Sequence, residues 1–156
     1  MANLVIYKAS AGSGKTYTLV KEFLVRALKG GHATPHRSGW SPYTFAHILC
    51  VTFTRKATAE MKERIIRALY RLATNDPKAD YRNELCQTLE IEPSVLQERA
   101  KRCLEAILYN YSALSVCTID SFIQQVFDSL VWELNLKPEQ RETTNANALL
   151  AAAAQY

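Results

Sequence analysis

No apolar run in this 156-residue sequence approaches the roughly 18 residues a membrane-crossing helix needs. A transmembrane reading is therefore excluded, and no membrane partner is expected. The opening residues, Met1 to Lys8, lack the basic start and long apolar segment of a secretory signal. Cysteine is sparse: Cys50, Cys86, Cys103 and Cys117, with no C-x-x-C pair. Their apolar or helical surroundings point to reduced, buried thiols in a reducing, cytoplasmic compartment, not to a disulfide scaffold or a metal site. There is no internal repeat, and no Ser/His/Asp or Cys/His arrangement for hydrolytic chemistry. Nor is there a strong charge excess: a net charge of +4 permits a polyanionic partner without requiring one.

What is present is the composition of a folded domain. Hydrophobic residues make up 48% and charged residues 22%, enough to bury a core and too apolar for disorder. Three short apolar runs, Leu4–Lys8, Ile48–Phe53 and Leu114–Thr118, read as buried parallel strands. Between them lie helical patterns. Leu19, Val20, Phe23, Leu24, Ala27 and Leu28 mark a helix from about Thr16, stopped by Gly30 and Gly31. A second helix runs from about Lys56 to Ala73, on a stripe of Met61, Ile65, Ala68, Leu69 and Leu72. Asp76 before Pro77 predicts a cap and a helix to about Leu89. Ser94 with Gln97 predicts a capping box opening a helix to about Tyr109. Phe122 to Leu130 carry one more amphipathic stripe, ending before Pro138. Residues 31–44 read as a loop, and 141–156 as a weakly amphipathic tail. Strands alternating with helices predict α/β architecture with a parallel sheet.

The strongest chemical signal is Ala9-Ser10-Ala11-Gly12-Ser13-Gly14-Lys15-Thr16. It fits G-x-x-x-x-G-K-[ST], with Ala9 at the first glycine position, between an expected strand and an expected helix. Gly12 and Gly14 let backbone N–H groups turn inward around phosphate oxygens. The helix N-terminus adds a partial positive charge. Lys15 would reach the β- and γ-phosphates of ATP, and Thr16 would offer its hydroxyl to Mg²⁺. The motif alone does not separate a kinase from a motor or a switch.

The second strand runs into Thr52-Phe53-Thr54-Arg55-Lys56-Ala57-Thr58-Ala59-Glu60-Met61, at the carboxyl end of a strand, where open α/β sheets place their sites. Taken alone, this segment has two meanings. It is a buried strand with Phe53 in the core and Arg55 and Lys56 solvated. Or it is a surface where Thr52 and Thr54 donate to phosphate and Phe53 stacks on a base.

Taken in order, the phosphate loop, the Val51–Met61 segment and Cys117-Thr118-Ile119-Asp120-Ser121-Phe122 resemble the UvrD/Rep-type superfamily 1 DNA helicases, over residues 4 to about 134. The Ala-Ser-Ala-Gly start resembles the RecB/AddA branch of helicase–nucleases, as does the long helical stretch before the third motif. The resemblance implies a RecA-like P-loop NTPase parallel sheet with flanking helices and a helical insertion. It implies a partial ATP-binding domain at 1–74 and 113–134, the insertion at 75–112, and a tail at 135–156. It implies ATP and Mg²⁺ at residues 9–16, and single-stranded DNA on Phe53, Thr54, Arg55, Thr118, Ser121 and Phe122. Its partners would be that DNA, the remainder of the helicase and a further protein of a nuclease complex. Asp120 stands where the family has His, and its charge would repel phosphate unless it meets a buried partner. No acidic Walker B pair follows Phe122 and no γ-phosphate arginines are present, so no catalytic residue is assigned and this chain alone is expected not to turn over ATP.

A stand-alone P-loop nucleotide kinase is the alternative enzyme. The 31–44 loop carries only Arg37 as a lid arginine, which argues against it. A non-catalytic nucleotide-binding module is the third reading. Elsewhere, His32 and His36 sit in a loop without a carboxylate or thiol. Trp40 and Tyr43 are expected to pack over the sheet edge. Arg64, Arg67 and Arg71 share a helix face, expected to be solvated, with a DNA-backbone track as the other reading.

Overall fold

The structure, a computed structural model, describes residues 5–6, 14–29 and 39–133, with the side chains of the last helix described to Leu130. Two compact units divide the chain, Met1–Ile119 and Asp120–Tyr156. In chain order the elements are α1 (Lys15–Lys29), β1 (Cys50–Thr52), α2 (Arg55–Ala73), α3 (Arg82–Leu89), α4 (Pro93–Tyr109), β2 (Val116–Thr118) and α5 (Ile119–Glu133). Short 3₁₀ turns at Thr44–His47 and Tyr111–Ala113 precede the two strands.

The core of the first unit is helical. α1 buries Val20, Phe23, Leu24, Ala27 and Leu28, the i, i+3, i+4, i+7, i+8 stripe of an amphipathic helix. α2 buries Met61, Ile65, Ala68, Leu69 and Leu72 in the same manner. α4 lies along α2 and contributes Leu96, Ala100, Cys103 and Ile107. Phe45, Leu85, Leu114 and Val116 close the ends of this cluster.

α4 also finishes the helices it packs against. The last carbonyls of a helix have no partner within it. Arg99 donates to the Leu28 carbonyl at 2.8 Å, at the end of α1. Gln97 donates to the Ala73 carbonyl at 3.0 Å, at the end of α2. The expected capping box therefore does not form: Pro93 opens α4, Ser94 lies inside it, and Gln97 serves another helix. The helix expected from Asp76 begins six residues later. Asp76 accepts from the Lys78 N–H at 2.8 Å, so its carboxylate closes a turn instead of capping a helix.

β1 and β2 pair in parallel, Cys50 with Val116, Val51 with Cys117 and Thr52 with Thr118. α2, α3 and α4 supply the long crossover that a parallel pair requires. The strands are shorter than the apolar runs, and β1 is not buried: Val51 is 40% exposed. The first apolar run fares differently. Val5 and Ile6 are not in a strand and are 59% and 75% exposed, since no strand pairs with them among the described residues. The rest of Leu4–Lys8 lies outside the described residues. The described sheet is thus two-stranded.

Trp40 packs on α1, not on the sheet edge. Its indole donates to the Ala27 carbonyl at 3.0 Å and Arg99 lies over its ring, while Tyr43 is exposed. The cysteines are free thiols, but only Cys103 is fully buried, and burial pushes its pKa up to about 12. No described helix is long and apolar enough to cross a membrane.

In the second unit the described part is α5. Ile123, Val126, Phe127 and Leu130 fall at helical spacing, yet all are exposed. The amphipathic pattern forms the expected helix without burying its apolar stripe among the described residues.

Candidate functional site

Of the phosphate-loop residues, Ala9, Ser10, Ala11, Gly12 and Ser13 lie outside the described residues. Gly14, Lys15 and Thr16 are described, and they form a loop-to-helix junction. Gly14 has φ +75°, a left-handed conformation that costs a side-chain-bearing residue about 1–2 kcal/mol. Among the described residues an added Cβ would meet nothing closer than the Tyr17 Cβ at 4.0 Å, so the backbone conformation is what favours glycine there. α1 starts at the next residue, and the Thr18 N–H donates to the Gly14 carbonyl at 3.0 Å. The N–H groups before that bond have no partner inside the helix. No acidic residue lies in the first turn, so nothing there opposes the helix's positive end. A left-handed glycine, a helix N-terminus with no acidic residue in its first turn, a lysine and a threonine suit a polyphosphate chelated to a divalent cation.

The second candidate segment follows β1. Phe53 is 87% exposed, which overturns the buried-core reading of that ring. It sits between a three-residue strand and a helix cap, with neither element folding over it. Thr54 is the N-cap of α2, its hydroxyl accepting from the Ala57 N–H at 3.1 Å. Thr52 is committed within the turn. Its hydroxyl donates to the Thr54 carbonyl at 3.1 Å and shares a 2.7 Å hydrogen bond with the Thr58 hydroxyl. It is therefore not the phosphate donor expected of it. Arg55 and Lys56 are exposed at the N-terminus of α2, a helix with no acidic residue in its first turn.

Because β1 and β2 are parallel neighbours, Thr52 and Thr118 end them side by side. Thr118 is only 9% exposed, the one buried polar residue among those described. Ser121 and Phe122 belong to the second unit, in the first turns of α5, where Ser121 is exposed and Phe122 half-buried. Asp120 is exposed in that first turn, where the helix dipole stabilises a carboxylate. It takes no buried partner among the described residues.

Two features were not legible in the sequence. Tyr17, one residue past the phosphate-loop motif, stacks on Tyr81 with ring centroids 4.5 Å apart. Its hydroxyl donates to the Glu84 carboxylate at 2.7 Å, and Lys21 pairs with the same carboxylate at 2.5 Å. The hydrogen bonds from Lys21 and then Tyr17 hold the Glu84 pKa down, while burial and Glu84 push Tyr17 up to about 12. The helix carrying Lys15 is thereby tied to α3. The other feature is a cleft of about 270 Å³ lined by Tyr17 and Tyr81 and by Arg64, Arg67 and Arg71 of α2. Arg64 and Arg67 are exposed there, as expected of a solvated face, and Arg71 is half-buried. No local pattern announces either feature, because the partners lie far apart in the chain. The described residues contain no group of three or more potential metal ligands.

This geometry has counterparts among known proteins at the level of sequence. The family described as the UvrD/REP helicase N-terminal domain matches residues 2–153. A chain of the ATP-dependent helicase/nuclease of Lactobacillus gasseri is 31% identical over 86% of this chain and 8% of its own length. The corresponding helicase/nuclease chain of Lacticaseibacillus casei is 32% identical over 90% of this chain and 9% of its own. The RecB chain of the RecBCD enzyme of Haemophilus influenzae is 30% identical over 78% of this chain and 10% of its own. The chain thus spans about a tenth of the length of the curated relatives it matches. No solved structure matches. The helix-rich first unit with its parallel strand pair, and the glycine–lysine–threonine junction that opens α1, belong to a member of the UvrD/REP helicase N-terminal domain family, on the branch that holds RecB and the ATP-dependent helicase/nucleases.

Proposed function

We propose that this chain is the ATP-binding part of an ATP-dependent DNA helicase of the helicase–nuclease kind, which in the whole protein moves along single-stranded DNA. The observation that carries the reading is the junction at Gly14–Thr16, left-handed glycine followed at once by a helix with a cationic start. Residues 9–16 would hold the nucleotide, with Lys15 on the β- and γ-phosphates and Thr16 on Mg²⁺. The bound nucleotide would supply the energy of its phosphoanhydride bond; this chain's contribution is to bind and orient it. Phe53, Thr54 and Arg55 would meet the strand with an exposed ring, the cap turn and a guanidinium, joined by Thr118, Ser121 and Phe122. Here the support differs by residue: Phe53 and Arg55 are exposed, whereas Thr118 is buried.

In this reading 1–74 and 113–134 form the ATP-binding subdomain on a RecA-like sheet, 75–112 its helical insertion, and 135–156 a segment beyond it. The remainder of the helicase and a further protein of a nuclease complex would be its partners. The chain alone should show only background ATP turnover, with or without DNA, because no acidic pair or γ-phosphate arginine accompanies the loop.

The test is thermal or urea unfolding with Mg-ATP or Mg-ADP. At about 100 times its dissociation constant, nucleotide should stabilise the chain by roughly 2.7 kcal/mol. Lys15→Ala should remove that gain, read against the unliganded stability of the same variant. Equal gains in both proteins would reject the phosphate site.

A further inference from the structure

Among the described residues, the lining of the cleft beside α2 includes none of those assigned to the nucleotide or to the strand end. Arg64, Arg67 and Arg71 reach it from one helix face, spanning about two turns or roughly 10 Å. Tyr17 and Tyr81, stacked, form an aromatic wall, and the floor is short and apolar at Ala68 and Ala79. The arginines are not equivalent. Arg71 is structural: it donates to the Lys78 carbonyl at 3.4 Å and lies 3.9 and 3.7 Å from the Asp76 and Asp80 carboxylates. It braces the turn between α2 and α3. Arg67 holds only its neighbour Glu63, one turn back on an exposed helix face, a contact of the kind that exchanges readily with solvent. Arg64 makes no ion pair with any described residue and is exposed. Asp80 is the one acidic group lining the cleft, so the lining carries a net positive charge.

We propose that this cleft binds a phosphodiester of nucleic acid, with Arg64 and Arg67 on the phosphate oxygens and the tyrosine wall against the adjoining sugar or base. A planar guanidinium fork matches phosphate geometry, and an aromatic face beside it suits a nucleotide unit more than a carboxylate side chain. Identifying the carrier of the phosphate as nucleic acid rests on the helicase reading; the anion site itself rests on the cleft. The site is separate from Phe53–Arg55, which precede α2's second turn, and would extend the contact along α2.

The test uses the whole chain and a fluorescein-labelled oligothymidylate, with anisotropy read at several salt concentrations. Arg64→Gln with Arg67→Gln should weaken binding about tenfold at low salt. It should flatten the dependence of log affinity on log salt by about 1.4, at roughly 0.7 per single-strand contact. Lys101→Gln with Arg102→Gln removes equal charge from the exposed face of α4 and should change affinity less than twofold. Arg64→Gln alone, which breaks no ion pair among the described residues, should show half the slope change, and its melting curve should match the parent. A cleft variant that behaves like the α4 control overturns the proposal. So does polyglutamate of equal charge competing as well as unlabelled oligonucleotide. If Arg55→Ala weakens binding and the cleft variant does not, the cleft fails and the strand-end reading stands. The reverse result keeps the cleft and rejects the strand-end site. No oligonucleotide binding at low salt rejects both.

Discussion

Among α1, α2 and α4, Phe23, Leu24, Ile65, Leu69 and Ile107 are each 0–2% exposed; at the end of β1, Phe53 is 87% exposed and Val51 40%. Both regions are rich in large apolar residues, and in sequence both have the look of core. The difference is one of partners. An amphipathic helix needs one neighbour along one stripe, and three helices provide this for each other. A strand has two faces and two edges, and the two described strands leave most of theirs open. Stability is therefore concentrated in the helices, and the exposed chemistry collects at the strand end and the helix N-termini.

Large-to-small substitutions would break this comparison most directly. Leu69→Ala and Phe23→Ala should each cost about 3–5 kcal/mol in urea unfolding. Phe53→Ala should stay within about 0.5 kcal/mol, as surface changes do. A costly Phe53→Ala would show that the strand end is packed in solution.

The helix ends come next. Arg99→Ala strands the last carbonyls of α1 and removes a cation from the Trp40 ring, so a loss of about 1.5–3 kcal/mol is expected. Lys101→Ala, on the same helix and exposed, should cost a few tenths at most.

Thr54 lies on the boundary between the two regions. Thr54→Ala should cost about 1 kcal/mol through the lost cap, and Thr54→Ser should restore it. If Thr54 also meets DNA, Thr54→Ser should recover affinity together with stability.

Alkaline titration sharpens the comparison from inside the helices. The Cys103 thiol rises from 9.0 to about 12 and the Tyr17 phenol from 10.0 to about 12. Both are favoured as neutral groups in the folded state. Their contribution is complete below the unfolded pKa and is lost as pH rises through the folded one. Urea midpoints should thus fall from about pH 9 upward and more steeply above about pH 10. Cys103→Ala should flatten the earlier part and Tyr17→Phe the later part.

The smallest effect is a gain. Glu90 ends α3 at φ 53°, a left-handed position. Replacing it with glycine relieves about 1–2 kcal/mol of backbone cost against roughly 0.5–1 of added chain entropy, for a net gain of about 0.5 kcal/mol.

By itself the sequence determined the helices, the parallel pairing and the phosphate-loop motif. Helical periodicity survives in any context, so α1, α2 and α5 begin within a few residues of their expected starts. The motif is local, and its glycine, lysine and threonine are contiguous. Caps were less legible. Asp76 and Gln97 have side chains that cap helices, but each found a nearer partner, a turn N–H and the exposed end of α2. Only the tertiary structure decided burial and the long-range contacts. Apolar runs at Ile48–Phe53 and Phe122–Leu130 look the same as core runs, because burial depends on what packs against them. The Tyr17–Tyr81 stack and the arginine cleft join α1, α2 and the turn before α3, and pairwise contact between distant positions leaves no periodic trace in one sequence. Periodicity reports the conformation a segment can adopt alone; exposure and clefts report its neighbours, which only folding supplies.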